Sequence, residues 1–98
     1  MLAKFEAYQL ALELYRKCEA VTAPHHLKDQ LNRASLSVCL NLAEGSGKPS
    51  WKEKRRFYGI ALGSCRETEA LAGILNRAEL VEIVDRLGGC LYRLVNPK

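Results

Sequence analysis

Lys48, Lys52, Lys54, Arg55 and Arg56 fall within nine residues of one another, relieved only by Glu53. Cations at that density do one kind of chemistry well: they hold a polyanion by charge and by hydrogen bonds to phosphate oxygens. Just before them stands Gly45-Ser46-Gly47-Lys48, which invites comparison with a phosphate-binding P-loop. That loop needs G-x-x-x-x-G-K-[ST] between a strand and a helix, so that backbone amides wrap the phosphates and the hydroxyl holds magnesium. Here Leu42 stands where the first glycine belongs, Pro49 occupies the hydroxyl position, and a helix precedes the run. Gly45 is therefore read as a helix stop, followed by a turn stiffened by Pro49.

Other reactive residues offer less. His25 and His26 are adjacent on a proline turn, and neighbouring helical residues point in different directions, which suits solvent better than a metal. Glu44 and Glu69 could form a carboxylate pair, but no E-x-x-H pattern accompanies them to supply metal ligands. Cys18, Cys39, Cys65 and Cys90 lie more than twenty residues apart with no C-x-x-C among them. They read as reduced, buried thiols acting as small hydrophobes. The expectation is a non-enzymatic chain with no catalytic residue, metal site or cofactor.

The elements that must position the cations come from a chain of 98 residues, 48% hydrophobic and 27% charged, with a net charge of +4. One domain of that size buries roughly 60% of the surface of its unfolded chain, so its core is thin and self-association is expected. The absence of an apolar run near 18 residues, and of a signal-peptide pattern, predicts a soluble cytoplasmic protein away from membranes. No long alternation of apolar and polar residues argues for a strand. The apolar periodicity instead predicts four helices over roughly 3–21, 25–44, 50–72 and 77–95, an all-α antiparallel up-down four-helix bundle in one domain.

The first helix places Phe5, Tyr8, Leu12 and Tyr15 on one stripe, widened by Leu14 and Cys18. The second carries Leu27, Leu31, Ala34, Val38 and Leu42. Ser50 and Glu53 make a capping box that starts the third, whose stripe runs Phe57, Tyr58, Ala61, Leu62, Cys65 and Ala72 until Gly73, read as a second stop. Asn76 then caps the fourth, with Leu80, Ile83, Val84, Leu87, Leu91 and Leu94 facing inward.

Two faces remain. On helix three, Lys52, Arg55, Arg56 and Arg66 share a sector away from the apolar stripe with Gly59 and Gly63. Interior helical glycines cost about 1 kcal/mol each relative to alanine, so something is expected to approach the backbone there: a helix, a second subunit or a phosphate backbone. On helix two, Gln30, Arg33, Ser37, Asn41 and Glu44 recur every three or four residues and read as a packed polar seam, with Glu69 the expected partner of Arg33.

The stretches "AYQLALEL" (Ala7 to Leu14), "LKDQLNRASLSVCLNLAEGSGKPS" (Leu27 to Ser50) and "RFYGIALGSCRETEA" (Arg56 to Ala70), and more loosely "GILNRAEL" (Gly73 to Leu80), resemble a known family. It is the small four-helix-bundle family first noticed as open reading frames within intervening sequences of bacterial 23S ribosomal RNA genes, related to the accessory variability proteins of diversity-generating retroelements. The resemblance implies a homo-oligomer, with fivefold rings among relatives. For the retroelement branch it implies a basic surface that binds nucleic acid and docks onto a reverse transcriptase. Asp29, Gln30, Arg33, Asn41, Glu44 and Glu69 fall on the family's signature polar positions and are assigned to structure. Lys54 and Arg55 stand where relatives place an aromatic and an aliphatic residue, and Trp51 is expected to take over that apolar contact.

Two function classes follow. One is a homo-oligomeric RNA- or DNA-binding accessory factor using Lys48, Lys52, Lys54, Arg55, Arg56 and Arg66. The other is a protein-interaction scaffold, such as an accessory subunit of a reverse transcriptase, without nucleic-acid contact.

Overall fold

The computed structural model describes residues 5–97, so the expected first turn at residues 3 and 4 lies outside the described residues. Helix α1 spans Glu6–Glu19, α2 His25–Ser46, α3 Trp51–Ile74 and α4 Val81–Val95, with a 3-10 turn at Ala78–Leu80 leading into α4. Each helix packs on its sequence neighbours, and α1 closes the ring against α4. The result is the expected four-helix bundle, 40 Å long and 21 Å in each cross-section. No helix among the described residues is long and apolar enough to cross a membrane.

Apolar side chains drive this closure. Leu14, Leu31, Leu42, Leu80, Leu87 and Leu91 are fully buried, each contributing about 1.5–3 kcal/mol of transfer free energy. The stripes expected for α2 and α4 point inward as read, with Leu27 and Leu94 half-buried at their edges. In α1 the buried line is Ala7, Leu10, Ala11, Leu14 and Cys18, one residue round from the expected Tyr8, Leu12 and Tyr15, which are half-buried. Alanines let α1 approach its neighbours closely, while the larger Tyr8, Leu12 and Tyr15 sit half-buried at its rim.

Two expected helix stops are corrected. Gly45 is buried inside α2, which continues through Ser46 to a cap at Gly47. No described glycine has a positive φ. Gly45 instead admits a ring: a Cβ there would lie 2.8 Å from Tyr58 Cε1 and 3.0 Å from Phe57 Cβ. Tyr58 thus docks directly on the α2 backbone, and Phe5 leans on it with ring centroids 6.0 Å apart.

Gly73 likewise lies within α3, which ends one turn later at Asn76, the left-handed residue with φ 57°. The Asn76 N–H donates to Gly73 O at 3.1 Å and the Arg77 N–H to Ala72 O at 2.9 Å, the paired bonds of a Schellman stop. Asparagine therefore ends α3 and does not cap α4; the 3-10 turn starts at Arg77 without a side-chain cap. At α3 the serine half of the capping box is present, with Ser50 Oγ accepting from Glu53 N–H at 3.2 Å.

Helix C-termini leave carbonyls without intrahelical donors, and cations from other helices meet them. Lys28 Nζ donates to the carbonyls of Cys18, Glu19 and Val21 at 2.9, 2.6 and 2.6 Å, closing the end of α1. Arg77 adds a bond to Thr22 O. Lys54 Nζ reaches Ser46 O at 3.0 Å on the last residue of α2, and Arg55 Nε reaches Val95 O at 2.8 Å on the last residue of α4. Lys54 and Arg55, the two departures from the family pattern, thus act as caps for other helices.

Candidate nucleic-acid interface

The turn between α2 and α3 brings the cationic cluster to one end of the bundle, beside the C-terminus of α4 and the N-terminus of α1. Gly45 and Tyr58 fix that turn by contact, and Ser50 fixes where α3 begins. The six cations read from the sequence then divide by what already holds them.

Four are engaged. Lys48 pairs with Glu44 at 3.0 Å and also lies over the Phe57 ring, 5.2 Å from its centroid. Lys54 and Arg55 cap α2 and α4. Arg66 pairs with Glu69 at 3.5 Å and extends over α4, where a Cβ at Gly88 would meet its Nη1 at 3.2 Å. Arg66 is ten residues beyond Arg56, about 15 Å along the helix axis, and does not join the cluster.

Two remain available. Lys52 is exposed and makes no ion pair among the described residues. Arg56 is exposed, its guanidinium resting 4.6 Å from the centroid of the Phe57 ring, which orients the group without neutralising it. With Arg55, Trp51, Gly59 and Val95 they line an open groove of about 520 Å³ across the first turns of α3 and the end of α4. None of its lining residues is acidic.

Trp51 does not take the apolar contact expected of it. Its side chain is 46% exposed on the groove wall, while Phe5 and Tyr58 fill the core beneath. Sequence reading also missed Val95, because its role arises from an Arg55 contact spanning forty residues. Trp51 carried a usable signal, the single tryptophan of the chain placed next to five cations.

The glycines on the charged sector face open space. A Cβ at Gly59 or Gly63 would meet nothing within 4 Å, so no helix among the described residues supplies the approach expected there. The exposed face of the same bundle carries Leu36 and Leu40 one turn apart on α2, the latter 59% exposed.

The polar seam is smaller than read. Ser37 and Ser64 hydroxyls meet at 2.8 Å between α2 and α3, and Asn41 Nδ2 donates to Ser37 O at 2.9 Å and to Ser37 Oγ at 3.1 Å. Gln30, Arg33, Glu44 and Asp29 are exposed outside it. Arg33 pairs with Asp29 at 3.4 Å, one helical turn away, and not with Glu69, which Arg66 occupies. Shorter local pairing wins because both charges stay hydrated, avoiding the desolvation a seam would impose.

The remaining chemistry is quiet. Cys18, Cys39, Cys65 and Cys90 are all free, the first three buried. Burial pushes the Cys39 and Cys65 thiols up to about 11 and raises that of Cys18. No group of three or more His, Cys, Asp or Glu residues able to hold a metal comes together among the described residues.

A family model described as 23S rRNA-intervening sequence protein matches residues 3–87. No curated protein and no solved structure matches the chain. With the family model spanning nearly all of the bundle, the chain belongs to the 23S rRNA-intervening sequence protein family.

Proposed function

We propose that this protein is a non-enzymatic, homo-oligomeric accessory factor that holds RNA or DNA by its phosphate backbone at the basic end of the bundle. The observation that carries the reading is the division of the cations: Lys52 and Arg56 stay exposed and free of ion pairs among the described residues, beside a groove none of whose lining residues is acidic. A lysine supplies a hydrated point charge and an arginine a planar fork, and both suit phosphate oxygens. Contacts of this kind read little sequence. Self-association would repeat the basic end on every subunit, and the exposed Leu36–Leu40 stripe offers a surface for it.

The test is a fluorescence-anisotropy titration of labelled RNA and DNA over a range of salt, run beside light scattering. The expected result is an affinity that falls steeply with salt, with a log–log slope of about −0.7 to −0.9 for each phosphate contacted, and a scattering mass above that of one chain. Absence of binding to either nucleic acid at low salt would sink the reading. The second reading, a protein-interaction scaffold such as an accessory subunit of a reverse transcriptase, draws on the exposed apolar residues Leu36, Leu40 and Ile74. Co-purification with such an enzyme, together with indifference to nucleic acid, would favour it.

A further inference from the structure

The geometry points to single-stranded nucleic acid as the ligand of the groove: we infer that one unpaired base stacks on the Trp51 indole while Lys52 and Arg56 hold the flanking phosphates. This rests on the polyanion-binding reading and adds to it a base-recognising surface.

Four observations carry it. A tryptophan is a large apolar group, and one left 46% exposed beside cations is a ready stacking face. Gly59 lies about 12 Å further along α3 on the same groove, and nothing lies within 4 Å of where its Cβ would be, so the groove stays open for the nucleotide next to the stacked base. Arg55 is tied to Val95 O at 2.8 Å, which joins two lining residues of the groove across α3 and α4. A volume of about 520 Å³ suits a group of nucleotide size.

The strand must be single. In a duplex every base is stacked between neighbours and its face is closed to a side chain, whereas unpaired bases can splay onto an aromatic ring. Phosphate contacts alone would leave Trp51 without a role and would accept duplex and single strand alike. An acidic peptide would satisfy the cations but offers no general partner for the indole face.

Trp51 is the single tryptophan of the chain, so its emission reports on this groove alone. The intact protein is titrated with oligo-uridylate, oligo-thymidylate, a mixed-sequence DNA duplex, inorganic polyphosphate and poly-glutamate, following both emission and anisotropy. The inference expects strong quenching by the two single strands and little by duplex or polyphosphate at equal occupancy. It expects Trp51→Ala to weaken single-strand binding roughly tenfold or more while duplex affinity stays unchanged, and Trp51→Phe to restore most of the loss. Preference for oligo-uridylate over oligo-thymidylate would assign RNA; equal response would assign any unpaired strand.

Salt-sensitive binding of single strands without quenching, and with Trp51→Ala affinity unchanged, overturns the stacking inference and leaves the polyanion reading standing. No binding of any nucleic acid overturns both. Quenching by poly-glutamate equal to that by oligonucleotides overturns the nucleic-acid assignment in favour of an acidic protein partner. Circular dichroism of Trp51→Ala confirms that the variant compared is folded.

Discussion

The two ends of the bundle are built from similar parts and end up with different charge balances. At one end, Arg16, Lys17, Lys28 and Arg77 set four cations against the four carboxylates of Glu19, Asp29, Glu79 and Glu82. Lys28 is half-buried there with its ammonium shared among three carbonyls, and Arg77 is divided between Thr22 O and Glu79. At the other end, the stretch from Glu44 to Arg56 sets five cations against two carboxylates. Lys54 and Arg55 satisfy the helix ends there, and Lys52 and Arg56 are left over. At one end Lys28 and Arg77 serve the backbone and the charges balance, while at the other the cations outnumber the carboxylates by five to two.

The sharpest expected contrast is in thiol labelling. Cys90, partly exposed near the basic end, should react with a maleimide first, and Cys18, at the capped end, should lag with Cys39 and Cys65. Besides lacking access, Cys39 and Cys65 are held as neutral thiols up to about 11. A rise of that size leaves about 100-fold less thiolate near neutral pH than an unshifted thiol has. Their labelling should therefore rise only as pH climbs toward that value, and mass spectrometry of timed samples reads the order. Equal early labelling of Cys18 and Cys90 would break the contrast.

Lys28→Met should cost about 2–3 kcal/mol in urea unfolding, since it strips an ionised donor from three carbonyls at once. Arg55→Met, which removes one exposed bond, should cost clearly less. Gly45→Ala should destabilise by about 1–2 kcal/mol, because overpacking against the Tyr58 ring outweighs the helix propensity gained. Gly59→Ala should move the unfolding midpoint the other way, stabilising by up to about 1 kcal/mol with nothing for the new methyl to strike. Smallest of all, Lys52→Gln with Arg56→Gln should leave stability within about 0.5 kcal/mol yet lower the salt slope of RNA binding by about 0.7–0.9 for each cation removed. A large stability loss in that double variant would mean these cations also serve the fold.

What could be read from the chain and what could not follows from the range of the interactions. The inward faces of α2 and α4 depend on leucine spacing within one helix, and the Ser50 cap depends on three neighbouring residues, so both were legible. Gly45 was misread because a glycine near a helix end looks the same whether it turns the chain or admits Tyr58 from the next helix. Asn76 was placed at the wrong helix boundary for a related reason: asparagine serves as an N-cap and as a left-handed stop, and only φ distinguishes them. The cationic cluster was legible as a cluster, but its division was not. Nothing local in Lys54 or Arg55 shows that one meets Ser46 and the other a carbonyl forty positions away.

The bond from Arg55 to Val95 also has a consequence in time. Val95 is the last residue of α4, and terminal turns open more often than helix middles. Each time that turn unwinds, Arg55 loses its anchor, so the shape of the groove is tied to the opening of one hydrogen-bonded turn. The Asn96 N–H closes that turn on Tyr92 O at 2.9 Å, which makes its amide exchange the clock for how long the groove stays formed.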